Sequence, residues 1–175
     1  MISGMTSIRS GRPEDAARLA HFAARTFAEA FAEANEPEDM ALYLSTASGL
    51  AQQSAELADP GQATLLAEVD GTLAGFAQIR GGTAPPCVTG ARPLELRRFY
   101  VDRPWQGRGV ARALMDAVRE AAARRGGDTL WLGAWERNAR ARAFYAKCGF
   151  VDVGSQPFVL GRDRQTDRIL TRPLP

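Results

Sequence analysis

The chain has 175 residues, 45% of them hydrophobic, which suits one domain with a sizeable core, expected over residues 5–173, and leaves no need for a second. It lacks any run of about 18 apolar residues, its N-terminal stretch MISGMTSIRSGRPED has neither an apolar h-region nor a cleavage signal, and Cys87, Cys148 and the single His21 make neither a zinc set nor a disulfide framework, so a cytoplasmic protein with no membrane segment and no metal is expected. The net charge of +2 conceals a division: residues 26–79 hold nine acids and no Lys, Arg or His, while residues 80–175 hold eighteen basic residues against nine acids. Arginines so scattered, behind so acidic an N-terminal half, argue against nucleic acid as a partner. Unless both halves merely dress solvated faces, the basic one suits a polyanion and the acidic one a cation.

Residues 6–9 suit a short first strand, and Arg12-Pro13-Glu14-Asp15 marks a helix start, with proline early and acids in the first turn. Leu19, Phe22, Ala23, Phe27 and Phe31 recur at three- and four-residue steps, which predicts a helix with an apolar stripe through about Ala34. His21 falls off the centre of that stripe and reads as a partly exposed structural residue. Asn35-Glu36-Pro37-Glu38-Asp39 interrupts the pattern and starts a second helix with Met40, Tyr43 and Leu44 inward; residues 50–57 form a third helical stretch. Residues 64–69 and 72–79 around Asp70-Gly71 predict a hairpin. The glycines and prolines of residues 81–93 predict a surface loop, with an inert Cys87 inside it.

The chain is organised around residues 94–126. Leu96, Phe99, Tyr100 and Val101 favour an extended strand, Asp102-Arg103-Pro104 breaks it, and Gln106-Gly107-Arg108-Gly109-Val110-Ala111 leads into Val110, Leu114, Val118 and Ala121 at helical spacing. Residues 129–135 predict a strand with Trp131 and Trp135 on one face, both assigned to core packing. Asn138 sits at the N-cap of a helix over 139–147 that Gly149 closes. The last strands are expected at 150–153 and 169–171, with another at 158–160.

A strand, a glycine-bearing turn and a helix point unpaired backbone N–H groups at one spot, at the positive end of the helix dipole, and suit a phosphate or pyrophosphate. A P-loop would need Lys-Ser or Lys-Thr after the last glycine, where Val110-Ala111 stands. A dinucleotide fingerprint would need three spaced glycines and an acid ending the next strand.

Gln106, Gly109 and Ala111, the preceding L-x-x-x-Y-V strand, Asn138 and Phe144-Tyr145-Ala146-Lys147-Cys148-Gly149-Phe150 together resemble the coenzyme A signature of the GNAT N-acetyltransferases. TFAEAFAEANEPEDMALYL, WLGAWERNARARAFYAKCGF and FVLGRDRQTDRIL, with Gly161, Gln165, Thr166 and Asp167 in the last, extend the likeness to bacterial spermine/spermidine acetyltransferases of the Pai type over almost the whole chain. The resemblance implies an α/β (α+β) GNAT acyl-CoA N-acyltransferase fold: one domain with a mixed, mostly antiparallel sheet of six or seven strands flanked by helices. It implies acetyl-CoA as co-substrate, held by Phe99, Tyr100, Val101, Gln106, Gly107, Arg108, Gly109, Val110, Ala111, Asn138, Tyr145 and Lys147. The turn amides would take the pyrophosphate and the strand before them the pantetheine arm. The implied acceptor is a small cationic amine such as spermidine or spermine, with a protein N-terminus, an antibiotic amine, or a non-catalytic acetyl-CoA sensor as the alternatives. A homodimer through the last strands is left open. Gln156-Pro157 departs from the His-Ser that relatives tend to carry, which puts polyamine specificity in question.

Acetyl transfer needs a neutral amine near the thioester carbonyl, stabilisation of the oxyanion, and a proton for the thiolate. Tyr145, seven residues after Asn138, is the candidate acid, set against a plain packing role. Glu95, acting directly or through water, is the candidate base, because Arg97 stands where some relatives have glutamate. Backbone N–H groups around residues 99–101 would meet the oxyanion. Glu29, Glu33, Glu36, Glu38 and Asp39 are candidates to meet the amine. An acetyl-cysteine route through Cys148 is disfavoured for want of a histidine partner.

Overall fold

A computed structural model describes residues 4–175, so the first residues of the stretch read for a targeting signal lie outside the described residues. In chain order the elements are β1 (Thr6–Ser10), α1 (Ala16–Phe31), α2 (Pro37–Ala47), α3 (Leu50–Ala58), β2 (Gln62–Val69), β3 (Thr72–Arg80), β4 (Pro93–Val101), α4 (Val110–Arg124), β5 (Thr129–Trp135), α5 (Ala139–Lys147), β6 (Val151–Leu160) and β7 (Asp163–Pro173). The strands form one seven-stranded sheet in the order β1-β2-β3-β4-β5-β7-β6, antiparallel throughout except where β4 meets β5. It is the mixed, mostly antiparallel sheet that the resemblance implies. No helix among the described residues is long and apolar enough to cross a membrane.

Alternation along the strands divides the core. Leu65, Ala67, Ile79 and Leu96 face α4, which buries Val110, Leu114, Met115 and Val118 against them. Leu66, Leu73 and Phe76 face the opposite way, against Leu19, Phe22 and Ala23 of α1. Each of these Leu, Ile, Val, Met and Phe side chains, once fully buried, contributes roughly 1.5–3 kcal/mol of hydrophobic stabilisation. The β2–β3 hairpin turns on Asp70 (φ 49°) and Gly71 (φ 79°), two left-handed residues in a row, as the tightest hairpin turns require.

The structure departs from the sequence expectations in three places. The Arg12-Pro13 start is a single 3-10 turn, Pro13–Asp15, before α1 begins. Asp15 tightens it by accepting from the Arg12 N–H (2.8 Å) while paired to both guanidinium ends of Arg9 (2.8 Å each). The C-terminal strands are two long ones rather than three short pieces. β6 is the sheet edge, so Pro157 owes no donor to a neighbour on its open side, and a bulge just before Gly154 leaves Val153 as the extra residue. The third departure concerns charge. Glu29 pairs with Arg25, Glu38 and Asp39 with Arg162, Glu56 with Arg97 and Arg98, and Glu68 with Arg9 and Arg18. Arginines from elsewhere in the chain thus pair with five of the nine acids of residues 26–79.

Candidate active site

β4 and β5 pair over three residues only, Pro93–Thr129, Leu94–Leu130 and Glu95–Trp131; past them no pairing continues among the described residues, and the sheet splits. Within β4 the register against β3 slips, Gln78 opposing Arg98 and Ile79 opposing Leu96, so that Arg97 is an extra residue. Such a bulge shifts the phase of the strand and leaves its extra peptide unpaired. Leu96, Phe99 and Val101 therefore pack towards α4, while Arg98 bonds Glu56 of α3 and Tyr100 packs with the α1 cluster on the other face. A cavity of about 810 Å³ occupies the split and is lined from both faces: Gly107, Ala111, Phe144 and Tyr145 on one, Phe27, Tyr43, Tyr100 and Asp167 on the other. It passes through the sheet.

At one end lies the glycine turn. The Gln106 side-chain amide donates to the Val101 carbonyl (2.8 Å), which folds the turn back on β4. Gly107 (φ 75°) and Gly109 (φ 86°) take left-handed backbone that other residues resist, and a Cβ built on either meets nothing within 4 Å. The first intrahelical bond of α4 runs from Ala113 N–H to the Gly109 carbonyl (3.0 Å), so the amides of Val110, Ala111 and Arg112 have no intrahelical acceptor. Val110 itself is buried in the core and offers only that amide; Arg108 is exposed, stacked over Trp105 (5.7 Å). The turn is pinned to α1. Arg25 grips both oxygens of Asp102 (2.9 and 2.8 Å), and Arg103 donates to the Glu29 carbonyl (2.8 Å). The Arg25 guanidinium holds the Asp102 carboxyl below the usual carboxylate range.

Midway, Asn138 caps α5 by accepting from the Ala141 N–H (3.0 Å) and lines the cavity. Tyr145 lines it too, edge-on to Phe99 (6.2 Å), Phe144 (5.6 Å) and Phe150 (5.7 Å), and burial raises its phenol pKa above the ordinary value. Lys147 is not brought to this cavity. It lines a separate one of about 210 Å³ with Arg112, Arg119, Cys148 and Arg172, where burial pushes the Cys148 thiol up.

The far end is aromatic and charged. Phe27 stacks on Tyr43 (4.5 Å), Phe31 meets Trp135 edge-on (6.0 Å) and Tyr43 meets Phe158 (5.7 Å). Trp131 is a core residue as expected; Trp135 is half-buried and forms cavity wall instead. Glu95 stands where β4 and β5 are still joined, its carboxylate paired with Arg80. Of the acids expected to meet an amine, Glu29 lines the cavity, whereas Glu38 and Asp39 are spent on Arg162. Asp167, only 9% exposed and opposite Trp135 in the β5–β7 register, has no ion-pair partner among the described residues, and burial pushes its pKa up to about 6.

The Acetyltransferase (GNAT) family model matches residues 20–150, which span α1 to the start of the last hairpin and take in the glycine turn, Asn138 and Tyr145. The chain belongs to the GNAT acetyltransferase family. Two relatives agree. An uncharacterized N-acetyltransferase in the pepI 3′ region of Lactobacillus delbrueckii subsp. lactis is 36% identical over 149 residues, 85% of this chain and 86% of its own. An aminoglycoside N(6′)-acetyltransferase type 1 of Stenotrophomonas maltophilia is 30% identical over 155 residues, 87% and 91% of the two chains. The PaiA N-acetyltransferase of Thermoplasma acidophilum, solved with coenzyme A, superposes with a TM-score of 0.77 over 97% of this chain and 99% of its own, at 18% identity, a likeness of fold.

For a GNAT chain the glycine turn and the Asn138–Tyr145 helix are local in sequence and were legible there. Asp167, Tyr43, Trp135 and the Arg97 bulge were not singled out as site residues. Asp167 carried one weak signal, its place with Gly161, Gln165 and Thr166 in the Pai-type likeness, which gave it no role, and the bulge carried none, because it depends on the register against β3.

Proposed function

We propose that this acyltransferase moves an acetyl group from acetyl-CoA to a primary amine by direct attack in a ternary complex. The observation that carries the reading is the single cavity that runs from the glycine-turn amides, through the β4–β5 split, to the aromatic face beyond. In this reading the amides of residues 107–111 hold the diphosphate, Phe99, Tyr100 and Val101 border the pantetheine arm, and unpaired N–H groups near the β4 bulge face the developing oxyanion. The amine nitrogen bonds to the carbonyl carbon, the C–S bond breaks, the departing thiolate takes the Tyr145 proton, and the proton that the nitrogen sheds as it becomes an amide returns to the Tyr145 phenolate. A phenol desolvated among three rings keeps that proton until a thiolate, itself desolvated, arrives to claim it.

The ammonium must first lose a proton. Glu95, the base suggested by the sequence, enters that transfer only by giving up Arg80; Asp167 has no ion-pair partner among the described residues and burial pushes its pKa up to about 6, which favours it as the first proton acceptor. For the acceptor, a polyamine is supported by the Pai-type resemblance and by Asp167 as a seat for one ammonium, and an antibiotic amine by the name of one relative. The test is thiol release from acetyl-CoA across a panel of primary amines, with cofactor binding followed by calorimetry. Turnover with at least one amine is expected. Tight acetyl-CoA binding with no release on any amine would favour the sensor, and no binding would end the reading.

A further inference from the structure

We infer that the acceptor is a small zwitterion, an amino acid or a close analogue, whose ammonium is seated by Asp167 and whose carboxylate is seated by Arg97; this rests on the amine-acetylation reading above. Two residues beyond the last β4–β5 pair, Arg97 on one strand and Gly133 on the other border the opening split. Gly133 has no side chain, and the Asp167 carboxylate lies over it: a Cβ built there would come within 3.0 Å of Asp167 Oδ2 and 3.3 Å of Gln156 Nε2. A lone carboxylate and a guanidinium thus look into one cavity across the split. Their backbones are separated by about two strand spacings, roughly 10 Å or more. That is too far for them to quench each other directly, yet both side chains reach inward, leaving a gap that a molecule of a few bonds can fill.

The Arg97 end is short of negative charge. Arg97 donates through Nη1 alone, to Glu56 Oε1 (2.7 Å), and Glu56 also serves Arg98 and the Gln52 amide (2.6 Å). Two guanidiniums therefore share one carboxylate. Burial, and then Arg98, pull the Arg97 pKa below its ordinary value, as a cation short of counter-charge should behave. Arg98 donates from Nη1 to Glu56 and Gln78 and from Nη2 to the Ala47 carbonyl, whereas Nε and Nη2 of Arg97 have no partner among the described residues, and its side chain is 25% exposed. A half-buried planar guanidinium with two donors free is a receptor for a carboxylate. A polyamine would bring a second cation towards Arg97, Arg98 and Arg80, which repels it.

Thiol release is measured for a set of α-amino acids, their carboxamides and spermidine. The amino acids should exceed their carboxamides by roughly 10- to 100-fold in kcat/KM, the range expected for one charge-assisted pair. Arg97→Gln should erase that preference by raising KM for the amino acids while KM for the carboxamides stays within about twofold, and Arg97→Lys should restore part of it. Spermidine or the carboxamides used as well as the amino acids would overturn the inference, as would an Arg97→Gln variant that lowers both series alike. The wild-type comparison decides by itself if the variant does not fold. Silence with every amine, with acetyl-CoA still bound, would instead overturn the transfer reading beneath it.

Discussion

Tyr145 and Asp167 are both buried ionisable groups, and burial acts on them in the same direction with different consequences. For Tyr145 it keeps the phenol protonated at any working pH. Phenylalanine preserves the packing against Phe99, Phe144 and Phe150 and deletes one hydroxyl, so Tyr145→Phe should lower kcat by about 10²-fold with KM for acetyl-CoA within about twofold. An unchanged kcat in steady-state assays would reduce Tyr145 to packing. For Asp167 the cost falls on the folded state. Its pKa of about 6 lies above the value near 3.9 of a free aspartate, so its favourable contribution is full below about pH 4 and is lost as the pH rises through 6. Asp167→Asn keeps the shape without the charge. Its gain in thermal stability over the parent should be absent at pH 4, grow to pH 6 and level off above about pH 7, near 1–2 kcal/mol once the remaining solvent access is discounted. A difference of equal size at pH 4 and pH 8 would refute this assignment, and lost turnover in the same variant would show a stability cost retained for function.

Among the elements, the glycine turn is where the backbone itself carries the proposed binding. Because a Cβ on Gly109 meets nothing within 4 Å, alanine there costs only the left-handed conformation, about 1–2 kcal/mol, and adds a methyl group where an anion would approach. Gly71, equally open and equally left-handed in the β2–β3 turn, is the control. Gly109→Ala and Gly71→Ala should lose similar stability, while only the first weakens acetyl-CoA, about tenfold or more by calorimetry. Equal affinities would place the diphosphate elsewhere. The same contrast explains what could be read from the residues alone. The β2–β3 hairpin, the α1 and α4 stripes, the Asn138 cap and the glycine turn each lie within one short stretch, so local spacing announced them. The Arg97 bulge, the three-residue limit of β4–β5 pairing and the full length of β6 are settled between strands, and β6 crosses a glycine and a proline that read as breaks until its edge position is known. The acceptor face draws on α1, α2, β4, β5 and β7 at once, so Asp167, set between Thr166 and Arg168, gave no local sign of its burial.

Across the whole molecule, the arginines are stitching as much as they are charge. The α1 end of the sheet is closed by Arg9, which takes both oxygens of Asp15 and both of Glu68, with Arg18 joining Glu68. Arg9 holds the Asp15 carboxyl down to about 2 and Glu68 below its usual range, just as Arg162 does for Asp39 and Arg168 for Asp152. Groups lowered in the fold stabilise it above their unfolded values near 4 and lose that contribution as the pH falls through the folded ones, the reverse of Asp167. Stability should therefore peak near pH 5, fall steeply towards pH 2 and decline gently towards pH 7. Not every pair matters equally: Arg162–Glu38 is largely exposed and screened, whereas the Asp15 side chain is 9% exposed. Arg9→Met leaves the Asp15 and Glu68 carboxylates sharing the more exposed Arg18 alone. It should cost about 2 kcal/mol at pH 7 by denaturant unfolding, and the cost should vanish near pH 2, where both carboxylates approach protonation in the parent as well. A loss that persists undiminished at pH 2 would mean that Arg9 acts through its hydrocarbon stem rather than its charge, and the acid limb of the stability curve would need another origin.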